Sequence, residues 1–308
     1  MEDPILNHHS PGRIWLVSGC GEGPPLARAL LAAGWQVRVS VVSPEATRAY
    51  GQQANLELAI GAIGLDQPCV ADQLQAARAA GDPFSWVIDA SHPFASRIST
   101  HLSQACNRLG QPLLRLRRPL LPPGNAELLT RPQDLKGRCR RGERLLLAIG
   151  ARQLSLVRRC CPEACLHARV LPRPGALRQA LAAGLAPERL VALQPQPDPE
   201  VAIPLEEALC RRWRIETVLL RRSGGPGEAQ WLRLADRLGL RLLLLERPGE
   251  SEPESLSLSY EALLERLTPS PGAGIAWSRP PVPAEDADAP LAGPGVRFHG
   301  SSHSGTTP

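Results

Sequence analysis

Two short stretches of this chain gather residue types that do chemistry. The first, Ser18-Gly19-Cys20-Gly21-Glu22-Gly23-Pro24, follows an apolar run directly. Glycines there let a phosphate approach the backbone, and a helix starting just beyond offers amide donors and the positive end of its dipole. The second, Asp89-Ala90-Ser91-His92-Pro93-Phe94-Ala95, sets a carboxylate, a hydroxyl and an imidazole close together after another apolar run. These are groups that bind polar ligands and carry protons. Asp89 or Ser91 would equally serve as a helix cap, and His92 as a surface histidine ahead of a rigid proline.

Position depends on the elements around these stretches. Short apolar runs predict strands at 13–18, 36–42, 57–60, 86–89 and 112–116, and helical spacing predicts helices at 25–33, 71–80 and 94–109, the first and last ended by Gly34 and Gly110. That alternation implies a parallel sheet, and residues at the carboxyl ends of its strands open onto the crevice where α/β folds bind ligands. Asp89, Ser91 and His92 are therefore candidate site residues. The stretch 120–134, with paired prolines and Gly124, reads as a linker. Alternation then resumes, with strands at 144–148, 167–170, 190–193, 217–220 and 241–245 and helices at 151–158, 176–183, 205–212 and 229–238. The expected organisation is a polar tail at 1–12, an α/β domain at 13–119, the linker, and a second α/β domain at 135–267. A tail at 268–308, rich in Pro, Gly, Ala and Ser, is expected to be disordered.

The glycine turn departs from G-x-G-x-x-G, because Pro24 stands three residues after Gly21. The second strand adds information about the cofactor. An NAD site usually places Asp or Glu at its end, whereas this one ends Val39-Ser40-Val41-Val42-Ser43. Nothing there repels a 2′-phosphate, and Ser43 and Arg48 suit one, so NADP is expected over NAD. Ser43-Pro44 reads as the cap of a following turn or helix as well.

Composition excludes several classes. A chain of 308 residues with 43% hydrophobic residues buries a sizeable core in about two domains. Its net charge of +5 is thin for a dedicated nucleic-acid binder, and 4% aromatic residues supply too few stacking platforms. Lys136 is the only lysine, so arginine is the default cation. Eight cysteines scattered through apolar segments suggest a reducing compartment. Cys161 and Cys165 have C-x3-C spacing but no second pair, so no metal site is expected. With no run of 18 apolar residues and a polar N-terminus, the expected location is cytoplasmic and away from membranes.

Six features in order resemble the precorrin-6A reductase family of cobalamin biosynthesis. They are Gly19-Cys20-Gly21-Glu22, the run Val87 to Ala95, Leu114-Arg115-Leu116-Arg117-Arg118-Pro119, Ala148-Ile149-Gly150-Ala151-Arg152-Gln153, Arg169-Val170-Leu171-Pro172 and Ser223-Gly224-Gly225. The resemblance spans about residues 12–248. It implies two Rossmann-like parallel-sheet domains with the active site in the cleft between them. It also implies NADPH-dependent reduction of one double bond of a tetrapyrrole macrocycle, with or without cobalt; a monomer or homodimer is expected. Gly19, Gly21 and Glu22 match the cofactor turn, and Asp89, Ser91, His92 and Pro93 the inter-domain motif. Ser223, Gly224 and Gly225 match a second glycine turn near nicotinamide or substrate. Leu220-Arg221-Arg222 departs from the usual Thr-Lys-Asn, and Arg117 from the usual acid.

Such a substrate carries many carboxylates, which arginines pair bidentately. Arg97, Arg115, Arg118, Arg152, Arg169, Arg221 and Arg222 lie near predicted element ends, with Arg118, Arg152, Arg221 and Arg222 taken as the substrate set; about half of the seven are expected to touch no ligand. Asp89 and His92 are the candidate proton donors. A short-chain oxidoreductase lacks its Tyr-x-x-x-Lys pair here. The alternatives are a non-catalytic NADPH-sensing regulator and another NADP-linked oxidoreductase acting on a polycarboxylate.

Overall fold

The structure, a computed structural model, describes residues 12–19, 21–195, 199–248 and 257–267, with backbone alone at 199–202. Cys20, the N-terminal residues 1–11 and the tail 268–308 lie outside the described residues. The first half builds strands β1 (Arg13–Ser18), β2 (Gln36–Val41), β3 (Leu56–Ile60), β4 (Trp86–Ala90) and β5 (Leu113–Leu116). Helices α1 (Gly23–Ala32), α2 (Pro44–Thr47), α3 (Val70–Ala79) and α4 (Ser96–Arg108) connect them. A short strand β6 (Glu127–Leu129) precedes the second set, β7 (Arg144–Ala148), β8 (Cys165–Val170), β9 (Leu190–Ala192), β10 (Thr217–Arg221) and β11 (Arg241–Leu245). Between these run α5 (Leu154–Cys160), α6 (Pro174–Ala182), α7 (Pro199–Trp213) and α8 (Pro226–Leu238), and β12 (Ser257–Leu258) and α9 (Tyr260–Leu267) follow.

The result is α/β: two six-stranded parallel sheets with flanking helices, ordered β3-β2-β1-β4-β5-β12 and β9-β8-β7-β10-β11-β6. Both are doubly wound. Chain direction across the sheet reverses between β1 and β4 in one and between β7 and β10 in the other, which are the switch points where such folds bind ligands.

Helices on both faces explain why the strands are nearly continuous apolar runs rather than alternating ones. In β1, Ile14 and Leu16 pack with Leu26 and Leu30 of α1 and with Leu263 and Leu267 of α9, while Trp15 and Val17 pack with Val70, Leu74 and Leu102 on the opposite face. The second sheet repeats this, Leu145 and Leu147 of β7 facing one core and Leu146 the other. Prolines in the first turns of α1, α2, α6 and α8 fix where each helix starts, so the turns entering them are short and sharp.

Several element ends shift from the sequence reading, most at α7, expected at 205–212 and found at Pro199–Trp213, and two assignments change sheet or kind. The expected linker 120–134 contains β6, which pairs with β11, and residues 257–267, read as part of the second domain, return to the first sheet through β12 and α9. Each sheet takes its sixth strand from outside its own run of alternating elements, and strands of three and two residues leave no periodicity to read. Cys161 Sγ lies 2.9 Å from Cys139 Sγ, and both thiols are free.

Candidate active site

At the first switch point, β1 leads into the glycine turn and β4 into the Asp89 segment. The Gly19 amide donates to the Ala90 carbonyl at 3.2 Å, tying the two loops together. Asp89 is 3% exposed; one carboxylate oxygen accepts from the Ser91 amide at 2.9 Å and the other lies 3.8 Å from Arg115 Nε. Ser91 Oγ faces Ser99 Oγ at 3.3 Å. The Phe94 amide donates to His92 Nδ1 at 3.2 Å, which leaves the proton of the neutral imidazole on Nε2. Glu22 forms an ion pair with Arg118.

Gly23, rather than Pro24, is the third glycine of the turn. A Cβ there would lie 1.9 Å from Ser18 Oγ and 2.5 Å from the Tyr50 hydroxyl, which itself donates to Ser18 at 2.6 Å. The sequence reading looked for this glycine one residue later. Gly21, by contrast, opens onto free space, with nothing within 4 Å of a Cβ. Ser43 caps α2 at the end of β2, is buried, and accepts from Arg173 Nη2 at 3.1 Å; Arg48 is exposed at the other end of α2.

The second sheet brings its own switch point to the same place. Arg221, at the end of β10, stands 5.2 Å over the Phe94 ring and lies beside Gly150 at the end of β7; Phe94 itself packs on the second sheet's core. The turn after β10 touches the chain leaving β5. At Gly224, with φ +72°, a Cβ would sit 2.2 Å from the Pro119 carbonyl, and at Gly225 it would sit 3.0 Å from Arg118 Nη1. Glu228, 1% exposed, accepts from the Gly224 amide at 2.6 Å. Arg247 clips both sides together, donating to the carbonyls of Arg118 at 2.9 Å, Arg222 at 3.1 Å and Ser223 at 3.0 Å. An open cavity of about 490 Å³ beside this clip is lined by Arg117, Arg118, Pro119, Leu120 and Arg247.

The cations divide by partner. Arg115 pairs with Asp89, Arg118 with Glu22, Arg169 with Glu206 and Arg222 with Glu246, whereas no carboxylate among the described residues pairs with Arg97, Arg152 or Arg221. Arg152 is exposed; Arg221 is largely buried, and its Nε has no partner among the described residues. Burial and the Arg152 charge together push the Arg221 guanidinium down from its ordinary value. His92 is pulled down to about 4, first by burial and then by Arg118 and Arg221, with Arg247 adding to this and Glu22 opposing it. Held below the usual histidine range, the His92 imidazole is neutral near pH 7 and presents its Nε2–H. Among the described residues no three His, Cys, Asp or Glu gather into a metal-holding group, and no helix is long and apolar enough to cross a membrane.

Sequence reasoning missed Gly23, Arg173, Glu228 and Arg247. Arg173 directly follows the Arg169-to-Pro172 run and Glu228 lies three residues past the Ser223-to-Gly225 turn, so adjacency to recognised segments was their only signal.

Two doubly wound sheets, joined through loops at their carboxyl ends and carrying a glycine turn beside a carboxylate-histidine loop, define a two-sheet α/β protein. Residues 13–268 match the family described as precorrin-6x reductase CbiJ/CobK, and the chain belongs to that family. It is similar to the cobalt-precorrin-6A reductase of Synechocystis sp., at 35% identity over 243 residues covering 76% of this chain and 88% of that one. The precorrin-6A reductase of Rhodococcus erythropolis is 28% identical over 246 residues, covering 77% of this chain and 89% of that one. Among solved structures, CobK precorrin-6A reductase shares the fold with a TM-score of 0.64 at 23% identity, covering 83% of this chain and 96% of that one.

Proposed function

We propose that this chain is an NADPH-dependent reductase of a precorrin-6A macrocycle in cobalamin biosynthesis, acting in the cytoplasm as a monomer or homodimer. Family membership supports the reaction class. The observation that carries the site is Arg221: a largely buried guanidinium with an unpartnered Nε and no carboxylate among the described residues, set where the two switch points meet. A buried cation without a counter-charge is costly unless a ligand supplies one. A polycarboxylate macrocycle does so, with Arg152 beside it and with Arg118 and Arg222 able to exchange protein carboxylates for substrate ones.

The residues present fit NADPH. Gly21 leaves the backbone open beyond β1 while Gly19 lets the turn pack against the His92 amide, Glu22 is held by Arg118, and the end of β2 offers Ser43 and Arg48 in place of a carboxylate. Ser91 and the turn Ser223, Gly224 and Gly225 flank the same region. When bound, NADPH supplies the hydride. The chain binds the two reactants, orients them and excludes water. Asp89 holds its loop through the Ser91 amide and Arg115, and His92 presents Nε2–H as a neutral hydrogen-bond donor. The proton that completes the reduction comes from a side chain of this loop or from a single admitted water, with Asp89 and His92 the side-chain candidates.

The relative at 35% identity is named for a cobalt-precorrin, so the cobalt form is the first substrate to try. Anaerobic mixing with NADPH, followed by the macrocycle's visible spectrum and the nicotinamide absorbance together, is expected to show equimolar consumption. Tight NADPH binding with neither form of the macrocycle reduced would instead favour a cofactor-sensing role.

A further inference from the structure

Ser43, at the end of β2, has its partner on the other sheet. It is 8% exposed, and Arg173 Nη2 donates to its Oγ at 3.1 Å. The two residues occupy equivalent corners. Ser43 follows β2 and precedes α2; Arg173 follows β8 and precedes α6; both are extended residues ahead of a helix that opens with proline. Since β2 and β8 are second in their sheets' order, counting outward from β1 and β7, the contact joins like positions of the two doubly wound units.

A dinucleotide laid across the start of α1 puts its adenosine ribose at the end of β2. The groups there are the Ser43 hydroxyl, Arg48 from the same loop, Arg173 from across, and one acid, Glu45. Glu45 is exposed and bound to its own backbone amide and the Ser43 hydroxyl, with Arg173 and Arg48 acting on it from further away. No carboxylate among the described residues forms an ion pair with Arg173, so its fork of donors has capacity beyond the single bond to Ser43. Arg48 lies exposed at the far end of α2, where solvent weakens a charge contact; Arg173 is half-buried and already oriented.

We propose that Arg173, carried by the second sheet, binds the 2′-phosphate of NADPH together with Ser43, so that both sheets jointly choose NADPH over NADH. The assignment rests on the NADPH reading above and extends it to a residue outside the cofactor-binding half.

The test is calorimetric titration of the full chain with adenosine 2′,5′-bisphosphate, 5′-AMP, NADPH and NADH, for wild type, Arg173→Ala, Arg173→Lys and the exposed control Arg178→Ala. For a charge-assisted bidentate contact, wild type should prefer the 2′-phosphate ligand of each pair by about 30-fold or more, and Arg173→Ala should cut that to about threefold by weakening the phosphate-bearing ligands alone. Arg173→Lys, which keeps the charge without the fork, should fall between, and Arg178→Ala should match wild type. If Arg173→Ala keeps the wild-type preference, or weakens both members of each pair equally, Arg173 does not read the phosphate. If wild type itself binds NADH as tightly as NADPH, the cofactor reading fails and this assignment with it.

Discussion

His92 shows how neighbouring charges set a residue's role. Burial together with Arg118, Arg221 and Arg247 keeps its imidazole neutral, with a pKa of about 4 against an ordinary value of 6.5. The unfolded chain therefore takes up the proton first, and stability is lost as pH falls from about 6.5 towards 4. Chemical denaturation should show wild type losing about 2 kcal/mol more than His92→Gln between about pH 7 and pH 5. Coincident losses would mean that His92 is not enclosed by these cations. Single-turnover reduction should likewise show no titration step near pH 6.5. Arg221→Gln should raise KM for the macrocycle about tenfold or more with a smaller change in kcat, because a bidentate carboxylate contact is worth roughly 1.5 to 3 kcal/mol. An unchanged KM would remove Arg221 from the substrate set. The sequence reading places both residues near strand ends, His92 as a candidate proton donor and Arg221 in the substrate set. Whether an arginine already has a carboxylate neighbour depends on tertiary contacts such as Arg118 with Glu22, 96 residues apart in the chain.

Among elements, those with a strong local pattern were legible. β1, β7 and β11 begin and end where their apolar runs do, whereas α8, expected from 229, begins three residues earlier at Pro226. β6 and β12 were not, since their positions are set by the free edges of β11 and β5 rather than by any pattern of their own. The turns lie between these cases. Glycines announce a turn, but Ser18 and Tyr50, which require Gly23, become its neighbours only on folding. Gly23→Ala should destabilise the protein by about 1 to 3 kcal/mol in a denaturant titration, as overpacking does, and weaken NADPH binding besides. Gly224→Ala combines a positive φ with collision against the Pro119 carbonyl, and should lower kcat more than it lowers thermal stability. A Gly224→Ala enzyme with wild-type kcat would show that this turn is remote from the chemistry.

In the molecule as a whole, the sheets share responsibility for one another. The second half supplies Arg173 to the end of β2 and Arg247 to the carbonyls of Arg118, while β12 and α9 return to complete the first sheet. Leu263 and Leu267 of α9 are fully buried, and Trp35 Nε1 donates to the Leu267 carbonyl at 2.7 Å. Ending the chain at Pro248 should therefore cost about 4 kcal/mol or more, read as a fall in Tm of about 10 °C or greater. The central claim is that the facing switch points bring nicotinamide and macrocycle together for direct hydride transfer. Its most direct test is an anaerobic single turnover with NADPH deuterated on the transferring face of its nicotinamide carbon, followed by mass spectrometry of the macrocycle. The account predicts a reduced macrocycle carrying one deuterium. A reduced macrocycle without deuterium, or deuterium lost to solvent, would contradict it.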